Sequence, residues 1–136
     1  MHVLDASVWV SLFFPEDMRH AETVAWVTQV IQGQTPFAAP ILVLPEVAGA
    51  VARRSGVAAY GTRAAGQVAR FPALTLASLD EPLAALATDL AARAYLRGSD
   101  ATYVALALRL GAPLVTWDAQ QRDRARRVVA TYSPLF

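Results

Sequence analysis

The 136-residue sequence contains no cysteine, no lysine and no asparagine. The absence of cysteine excludes a disulfide framework, a thiolate zinc site and a cysteine nucleophile. The absence of lysine excludes Schiff-base chemistry and a P-loop nucleotide site, whose lysine binds phosphate. All 12 basic residues are therefore arginines, and with 11 acidic residues they give a net charge of only +1. Because proteins that bind nucleic acid usually carry a larger basic excess, the overall charge argues against such a partner.

Long hydrophobic runs are also missing, although the mean hydropathy is +0.34. The charge-free stretch 23–45 contains glutamines, a glycine and prolines, so we interpret it as a helix end, a turn and a buried strand. The first residues show no apolar segment leading to a cleavage site. We therefore expect no membrane association, a cytoplasmic location and, from the length, one domain over residues 1–136.

Short apolar segments alternate with helical patterns along the whole chain. We predict strands at residues 3–4, 37–39, 74–79, 114–116 and 128–129. We predict helices at residues 7–14, 17–32, 45–54, 57–71, 81–97 and 100–110, and a short helix after Asp118. Such alternation is typical of a parallel sheet covered by helices on both faces. The sequence therefore predicts a single α/β domain.

Four carboxylates stand at the junctions of these predicted elements: Asp5, Glu46, Asp100 and Asp118. Each has a purely structural explanation, because an acid at a helix start caps the helix or interacts favourably with its dipole. Two of them follow apolar strands, however, and the other two begin helices that look buried. In a parallel α/β sheet these places lie at one edge, where ligands bind. We therefore expect the four carboxylates to converge.

Four convergent carboxylates repel one another unless a cation neutralises them, and no lysine is available to do so. A site made of oxygen ligands alone selects Mg²⁺ or Mn²⁺ over zinc. Such an ion can convert bound water into a nucleophile and stabilise a leaving oxygen. This chemistry indicates hydrolysis of phosphodiester bonds.

The stretches that contain these acids resemble PIN-domain nucleases, and more narrowly the VapC-type toxins of bacterial and archaeal toxin–antitoxin pairs. They are VLDASV at 3–8, PEV at 45–47, DATYVALA at 100–107 and LVTWD at 114–118. Their order and spacing extend over nearly the whole chain. The resemblance implies a PIN-like three-layer α/β/α sandwich with a four- or five-stranded parallel sheet. It also implies an endoribonuclease that depends on Mg²⁺ or Mn²⁺.

The resemblance assigns catalytic roles to Asp5, Ser7, Glu46, Asp100, Thr116 and Asp118. It makes Asp5, Asp100 and Asp118 the metal ligands. The hydroxyls of Ser7 and Thr116 would assist the site. If the strand near Thr116 extends to Asp118, the period-two alternation of a strand places these two side chains on the same side.

Partners follow from the same resemblance: an RNA substrate, a cognate VapB-like antitoxin protein and a second copy of the chain in a homodimer. RNA contacts would involve Arg97, Arg122 and Trp117, whose indole could stack on an unpaired base. The alternative for the arginines is a solvated helix end, and for the tryptophan a place in the core. If the four acids are offset by metal, 12 arginines face seven remaining acids, and the objection from net charge disappears.

Two other functions remain open on the sequence. The chain could be a housekeeping RNA-processing nuclease, which would not arrest growth in a way that a neighbouring gene's product relieves. It could also be a PIN-like module that binds RNA or a protein without cleaving anything, and such a module would show no binding of Mg²⁺ or Mn²⁺.

Overall fold

The structure is a computed structural model that describes residues 1–135. The strands are β1 (His2–Leu4), β2 (Phe37–Pro40), β3 (Leu74–Ala77), β4 (Leu114–Val115) and β5 (Thr131–Tyr132). The helices are α1 (Ala6–Phe13), α2 (His20–Gln32), α3 (Val43–Ser55), α4 (Ala58–Ala69), α5 (Glu81–Ala94), α6 (Gly98–Leu110) and α7 (Ala119–Ala125). No helix in this range is both long enough and apolar enough to cross a membrane.

The five strands form one parallel sheet in the order β3-β2-β1-β4-β5. The chain first moves outward from β1 through β2 to β3, then crosses to β4 and continues to β5 on the other side. Because parallel crossovers are right-handed, the change of direction places α1–α4 on one face of the sheet and α5–α7 on the other. This confirms the predicted α/β/α sandwich, with five strands.

The strand order reverses between β1 and β4, which is where open α/β sheets bind ligands. Val3 pairs with Leu114 and Leu4 with Val115, and the Asp5 amide then donates to the Val115 carbonyl at 3.0 Å. The residues that follow both strands are thereby placed side by side. Asp5 and Thr116 meet at this point although 111 residues separate them.

Close packing fixes the helices that carry the site. Trp9 of α1 has no exposed surface, and its ring lies 6.1 Å from the ring of Phe37 and 5.1 Å from that of Phe71. Helix α4 approaches α3 so closely that a Cβ atom at Gly61 would lie 2.3 Å from the Ala48 carbonyl oxygen. Both α1 and α3 are therefore held rigidly against the rest of the fold.

The predicted last strand at residues 128–129 is wrong. The amides of Val128 and Val129 both donate to the Ala125 carbonyl and close the end of α7, and β5 follows at Thr131. The two valines are partly buried against the core, so their apolar character reflects packing of a turn.

Other predicted boundaries shift by a few residues. Helix α2 begins at His20 instead of residue 17, because the Asp17 carboxylate accepts a hydrogen bond from the Arg19 amide in a preceding turn. Helix α5 ends three residues early at Ala94, where Tyr95 adopts a left-handed conformation with φ of 55°.

Candidate active site

Asp5 occupies the centre of the carboxyl edge of the sheet. It follows β1 directly and caps α1, because its Oδ2 accepts a hydrogen bond from the Ser7 amide at 3.0 Å. Its side chain is 6% exposed, and the same Oδ2 lies 3.1 Å from the Thr116 hydroxyl. The structural and functional interpretations of Asp5 are therefore compatible, since one oxygen caps the helix and Oδ1 remains available.

Thr116 connects the ends of β1 and β4 through its fully buried hydroxyl. Its Oγ1 lies 2.7 Å from Gln121 Oε1 and 3.3 Å from Ser7 Oγ, and it accepts a hydrogen bond from the Asp118 amide at 3.0 Å. Ser7 Oγ in turn accepts from the Trp117 amide at 3.0 Å. The two predicted hydroxyl positions thus form a hydrogen-bonded network directly under Asp5.

Glu46 faces this network from the first turn of α3. The helix begins at Val43, two residues before the predicted start, so the acid is the fourth residue of its first turn. The Tyr103 hydroxyl donates to Glu46 Oε1 at 2.7 Å from the buried face of α6. This contact joins the two helices that carry Glu46 and Asp100.

Asp100 and Asp118 are connected by the guanidinium of Arg97. Arg97 Nε donates to Asp100 Oδ2 at 3.0 Å, and its Nη2 donates to Asp118 Oδ2 at 3.1 Å. Asp118 also caps α7 by accepting from the Gln121 amide at 2.9 Å, so its structural interpretation is confirmed. Asp100 does not cap α6, because that position belongs to Arg97. Strand β4 ends at Val115 and does not extend to Asp118. The alternation that would place Thr116 and Asp118 on the same side of a strand therefore does not apply.

The charges of the acids act on one another across the site. Burial raises the pKa of Glu46, and the charges of Asp5 and Asp100 add to this against the opposing Tyr103 hydrogen bond. Burial also raises the pKa of Asp100, helped by Asp5 and opposed by the hydrogen bond from Arg97. The hydrogen bond to Asp100 and the charges of both aspartates raise the pKa of Arg97. Acids contributed by the starts of α1, α3 and α6 therefore share one electrostatic environment.

The donor set fits Mg²⁺ or Mn²⁺ in its chemistry, because it consists of carboxylate and hydroxyl oxygens with excess negative charge. Among residues 1–135, no group of three or more acidic or histidine side chains is arranged so that it could hold a metal ion. Two of the predicted ligands, Asp100 and Asp118, are instead hydrogen-bonded to Arg97. The residues have the right chemistry, but their present arrangement is that of an ion-paired site.

A cleft of about 800 Å³ opens beside Ser7 and Glu46. Its walls include three arginines, Arg19, Arg53 and Arg54, together with Trp117. The Arg19 guanidinium lies 4.8 Å from the centre of the Trp117 ring, and Arg54 pairs with Asp17 at 2.6 Å. Three arginines therefore line a cleft next to the acidic site, although Asp17 and Glu46 also line it and Arg19 and Arg54 are ion-paired.

The profile of the PIN domain matches residues 2–127. The chain belongs to the PIN domain family. Among curated proteins, no significant sequence relative is found.

Solved structures share the fold of this PIN domain over nearly its whole length. VapC20 of Mycobacterium tuberculosis, named as a toxin that cleaves the sarcin–ricin loop, has a TM-score of 0.76 at 18% identity and covers 96% of this chain and 97% of its own. FitAcB of Neisseria gonorrhoeae has a TM-score of 0.71 at 20% identity, with 98% of each chain covered. VapBC2 of Rickettsia felis, solved with a promoter DNA fragment, has a TM-score of 0.70 at 12% identity, with 97% of each chain covered.

The residues predicted to contact RNA have different surroundings in this PIN domain. Arg97 lies in the acidic site, as described above. Arg122 donates to the Ser133 hydroxyl at 2.7 Å and is mostly buried, away from the cleft-lining residues. Trp117 is half-buried, because its Nε1 donates to Thr23 Oγ1 at 2.9 Å while its ring lines the cleft beneath Arg19.

Sequence reasoning missed several residues that shape the site of this PIN domain. Tyr103 lies within the matched stretch 100–107 but was not distinguished from its apolar neighbours. Gln121 is 1% exposed, and its position three residues after Asp118 is a capping-box spacing that could have marked it. Arg19 gave no sequence signal, because its place beside Trp117 depends on the tertiary fold.

A pH dependence of stability follows from Glu46. Its pKa in the folded PIN domain lies above the ordinary value of 4.5, so the folded state binds more protons. The resulting stabilisation is complete below that value and is lost as pH rises through the raised pKa. Glu46→Gln keeps an oxygen for the Tyr103 hydroxyl but has no charge. In chelator, we expect it to be more stable than the unmodified chain at neutral pH, with the difference vanishing near pH 4.

Urea unfolding at both pH values measures this effect. Glu16→Gln is the matched control, because Glu16 is exposed and has no ion-pair partner among residues 1–135, and it should follow the unmodified chain. A Glu46→Gln variant that is less stable at neutral pH would contradict the prediction.

Proposed function

We propose that this PIN domain is an Mg²⁺- or Mn²⁺-dependent endoribonuclease and the toxin of a type II toxin–antitoxin pair. The observation that carries the proposal is the approach of four carboxylates at the switch point of the sheet, beside a cleft lined by arginines. A negatively charged site next to a groove that contains arginines suits a polyanionic substrate whose cleavage requires a cation. An apolar or neutral substrate would need neither feature.

The carboxylates of Asp5, Asp100 and Asp118 would hold the metal. When bound, the ion would make an attacking water easier to deprotonate and would stabilise the negative charge that develops on the phosphate. Ser7 and Thr116 fix the orientation of the Asp5 carboxylate through the hydroxyl network, so this ligand is positioned before substrate arrives. These two side chains therefore serve as positioning residues.

Glu46 suits the role of proton acceptor. Its Oε1 is occupied by the Tyr103 hydroxyl, and its Oε2 accepts no hydrogen bond from any residue in 1–135. The raised pKa makes this carboxylate a stronger base than an exposed glutamate. Oε2 can thus take a proton from water that attacks the phosphate, while Tyr103 keeps the side chain turned towards the site.

The cleft supports a path for single-stranded RNA. Arg53 is exposed on α3 and has no ion-pair partner within residues 1–135, so its charge is available to a phosphate. The Trp117 ring offers a surface for a base, and stacking of this kind contributes about 1–3 kcal/mol per base. Arg97 and Arg122 remain predicted RNA contacts, although both already have partners inside the protein.

Cleavage by the purified chain tests the function. We expect an unstructured RNA oligonucleotide to be cut in the presence of Mn²⁺ or Mg²⁺, cleavage to stop with EDTA, and activity to return when the cation is restored in excess. Oligonucleotides of several different sequences are used, because a narrow sequence preference would leave a single oligonucleotide uncut. Cleavage that persists in EDTA, or no cleavage of any RNA with either cation, would contradict the proposal.

An antitoxin partner and a homodimer belong to the same proposal. The antitoxin partner is supported by a structural neighbour from Klebsiella pneumoniae that was solved as a toxin–antitoxin complex. Growth arrest on expression, relieved by the product of an adjacent gene, would separate a toxin from a housekeeping nuclease. Sedimentation of the purified chain alone measures whether it forms a dimer.

A further inference from the structure

Arg97 lies between two carboxylates of the acidic site, those of Asp100 and Asp118. Its planar guanidinium donates from Nε to Asp100 and from Nη2 to Asp118, in both cases to the Oδ2 atom. One side chain thereby connects carboxylates that are 18 residues apart in sequence and belong to different elements, α6 and the cap of α7. A lysine ammonium is a compact charge and lacks this flat fork of donors.

The turn that presents Arg97 is fixed, but its side chain is free to move. Tyr95 adopts a left-handed backbone conformation just before it, and Arg124 of α7 donates to the Tyr95 carbonyl at 2.7 Å. The Arg97 side chain is itself 64% exposed, so most of its surface already lies in solvent. The guanidinium can therefore swing into solvent without any rearrangement of the backbone.

The guanidinium and a divalent cation would compete for the same oxygens. Asp100 and Asp118 are two of the three acids expected to bind metal, and Arg97 is hydrogen-bonded to one oxygen of each. Two positive charges on these carboxylates repel each other at close range, so each lowers the affinity of the site for the other. Arg97 and the metal therefore compete for the site.

We propose that Arg97 is an internal counter-ion, which balances the acidic site in the metal-free protein and is displaced when a divalent cation binds. The inference rests on the proposed function, since it requires the site to bind metal. It goes beyond that function by giving the chain two charge-balanced states. The competition lowers the apparent affinity for metal, so Arg97 sets the cation concentration at which the site fills.

Calorimetric titration with Mn²⁺ alone, in the absence of RNA, tests this directly. Arg97→Ala should bind Mn²⁺ roughly 3- to 30-fold more tightly than the unmodified chain, because the ion no longer displaces two ion pairs. Arg97→Lys, which keeps the charge without the fork, should lie between the two. Arg93→Ala is the control, because Arg93 pairs with Asp89 on the exposed side of α5, and its affinity should not change.

A second readout follows Arg97 itself. Titration with diamagnetic Mg²⁺ should shift the Arg97 Nε–H resonance towards that of a solvated arginine, while the Arg93 resonance stays in place. Equal or weaker Mn²⁺ binding by Arg97→Ala, with the unmodified chain still binding Mn²⁺ and cleaving RNA, would overturn this inference and leave the proposed function intact. Failure of every variant to bind Mn²⁺ or cleave RNA would overturn the proposed function and this inference together.

Discussion

Asp5→Asn should reduce Mn²⁺-dependent RNA cleavage by at least about 100-fold. Loss of a residue that merely supports a metal ligand commonly costs 10- to 100-fold, and Asp5 is a predicted ligand itself. Asparagine is as good a helix cap as aspartate, so the hydrogen bond from the Ser7 amide to the side chain can be kept. The substitution thus removes the charge at the centre of the site without removing the cap of α1.

The measurement combines initial cleavage rates with thermal unfolding of the same preparations. Asp89→Asn is a suitable control, because Asp89 is an exposed acid on α5 that pairs with Arg93. It should cleave RNA at the unmodified rate. Full activity in Asp5→Asn, with an unfolding temperature close to that of the unmodified chain, would exclude Asp5 from the chemistry.

Thr116→Val should destabilise the fold by about 2–4 kcal/mol. The two side chains have nearly the same shape, but valine leaves Gln121 Oε1 and the Asp118 amide without the partner they have now. Unpaired polar groups in a buried site cost about 1–3 kcal/mol each. Activity should fall as well, because the Asp5 carboxylate loses the Thr116 hydroxyl 3.1 Å from it and the Asp118 amide loses its acceptor.

Thr116→Ser separates the hydroxyl from the rest of the side chain. Serine keeps the oxygen at the centre of the network and loses one methyl group, for which we expect a cost of about 1 kcal/mol. Chemical denaturation of both variants gives the comparison. If valine and serine were equally well tolerated at this position, the hydroxyl network would not contribute to stability.

Local signals in the sequence were sufficient to predict most of the fold. The change from short apolar runs to helical periodicity marks four of the five strands, and the acids that cap helices mark where α1 and α7 begin. Residues 128–129 misled the prediction, because two adjacent valines pack a helix end against the core as readily as they form a strand. β-branched residues indicate partial burial, and a strand and a packed helix end are both partly buried.

The placement of the acids could be predicted because it depends on topology. Strand ends and helix starts converge at one edge of any parallel α/β sheet, whatever the side chains between them. The contacts that tune those acids depend on tertiary structure instead. Tyr103 and Glu46 are 57 residues apart, and Arg97 and Asp118 are 21 apart, so neither pair has a local pattern. The contact between Arg97 and Asp118 could not be predicted for this reason.

The position of β4 beside β1 has a consequence for biosynthesis. Asp5 is synthesised 111 residues before Thr116, which lies beside it in the folded protein. Translation proceeds at about 5–20 residues per second, so several seconds separate the two halves of the network. A nascent chain that already contains Asp5, Glu46 and Asp100 still lacks the strand that brings its acids together. Any activity of the site therefore requires β4, which is made after helices α1 to α6.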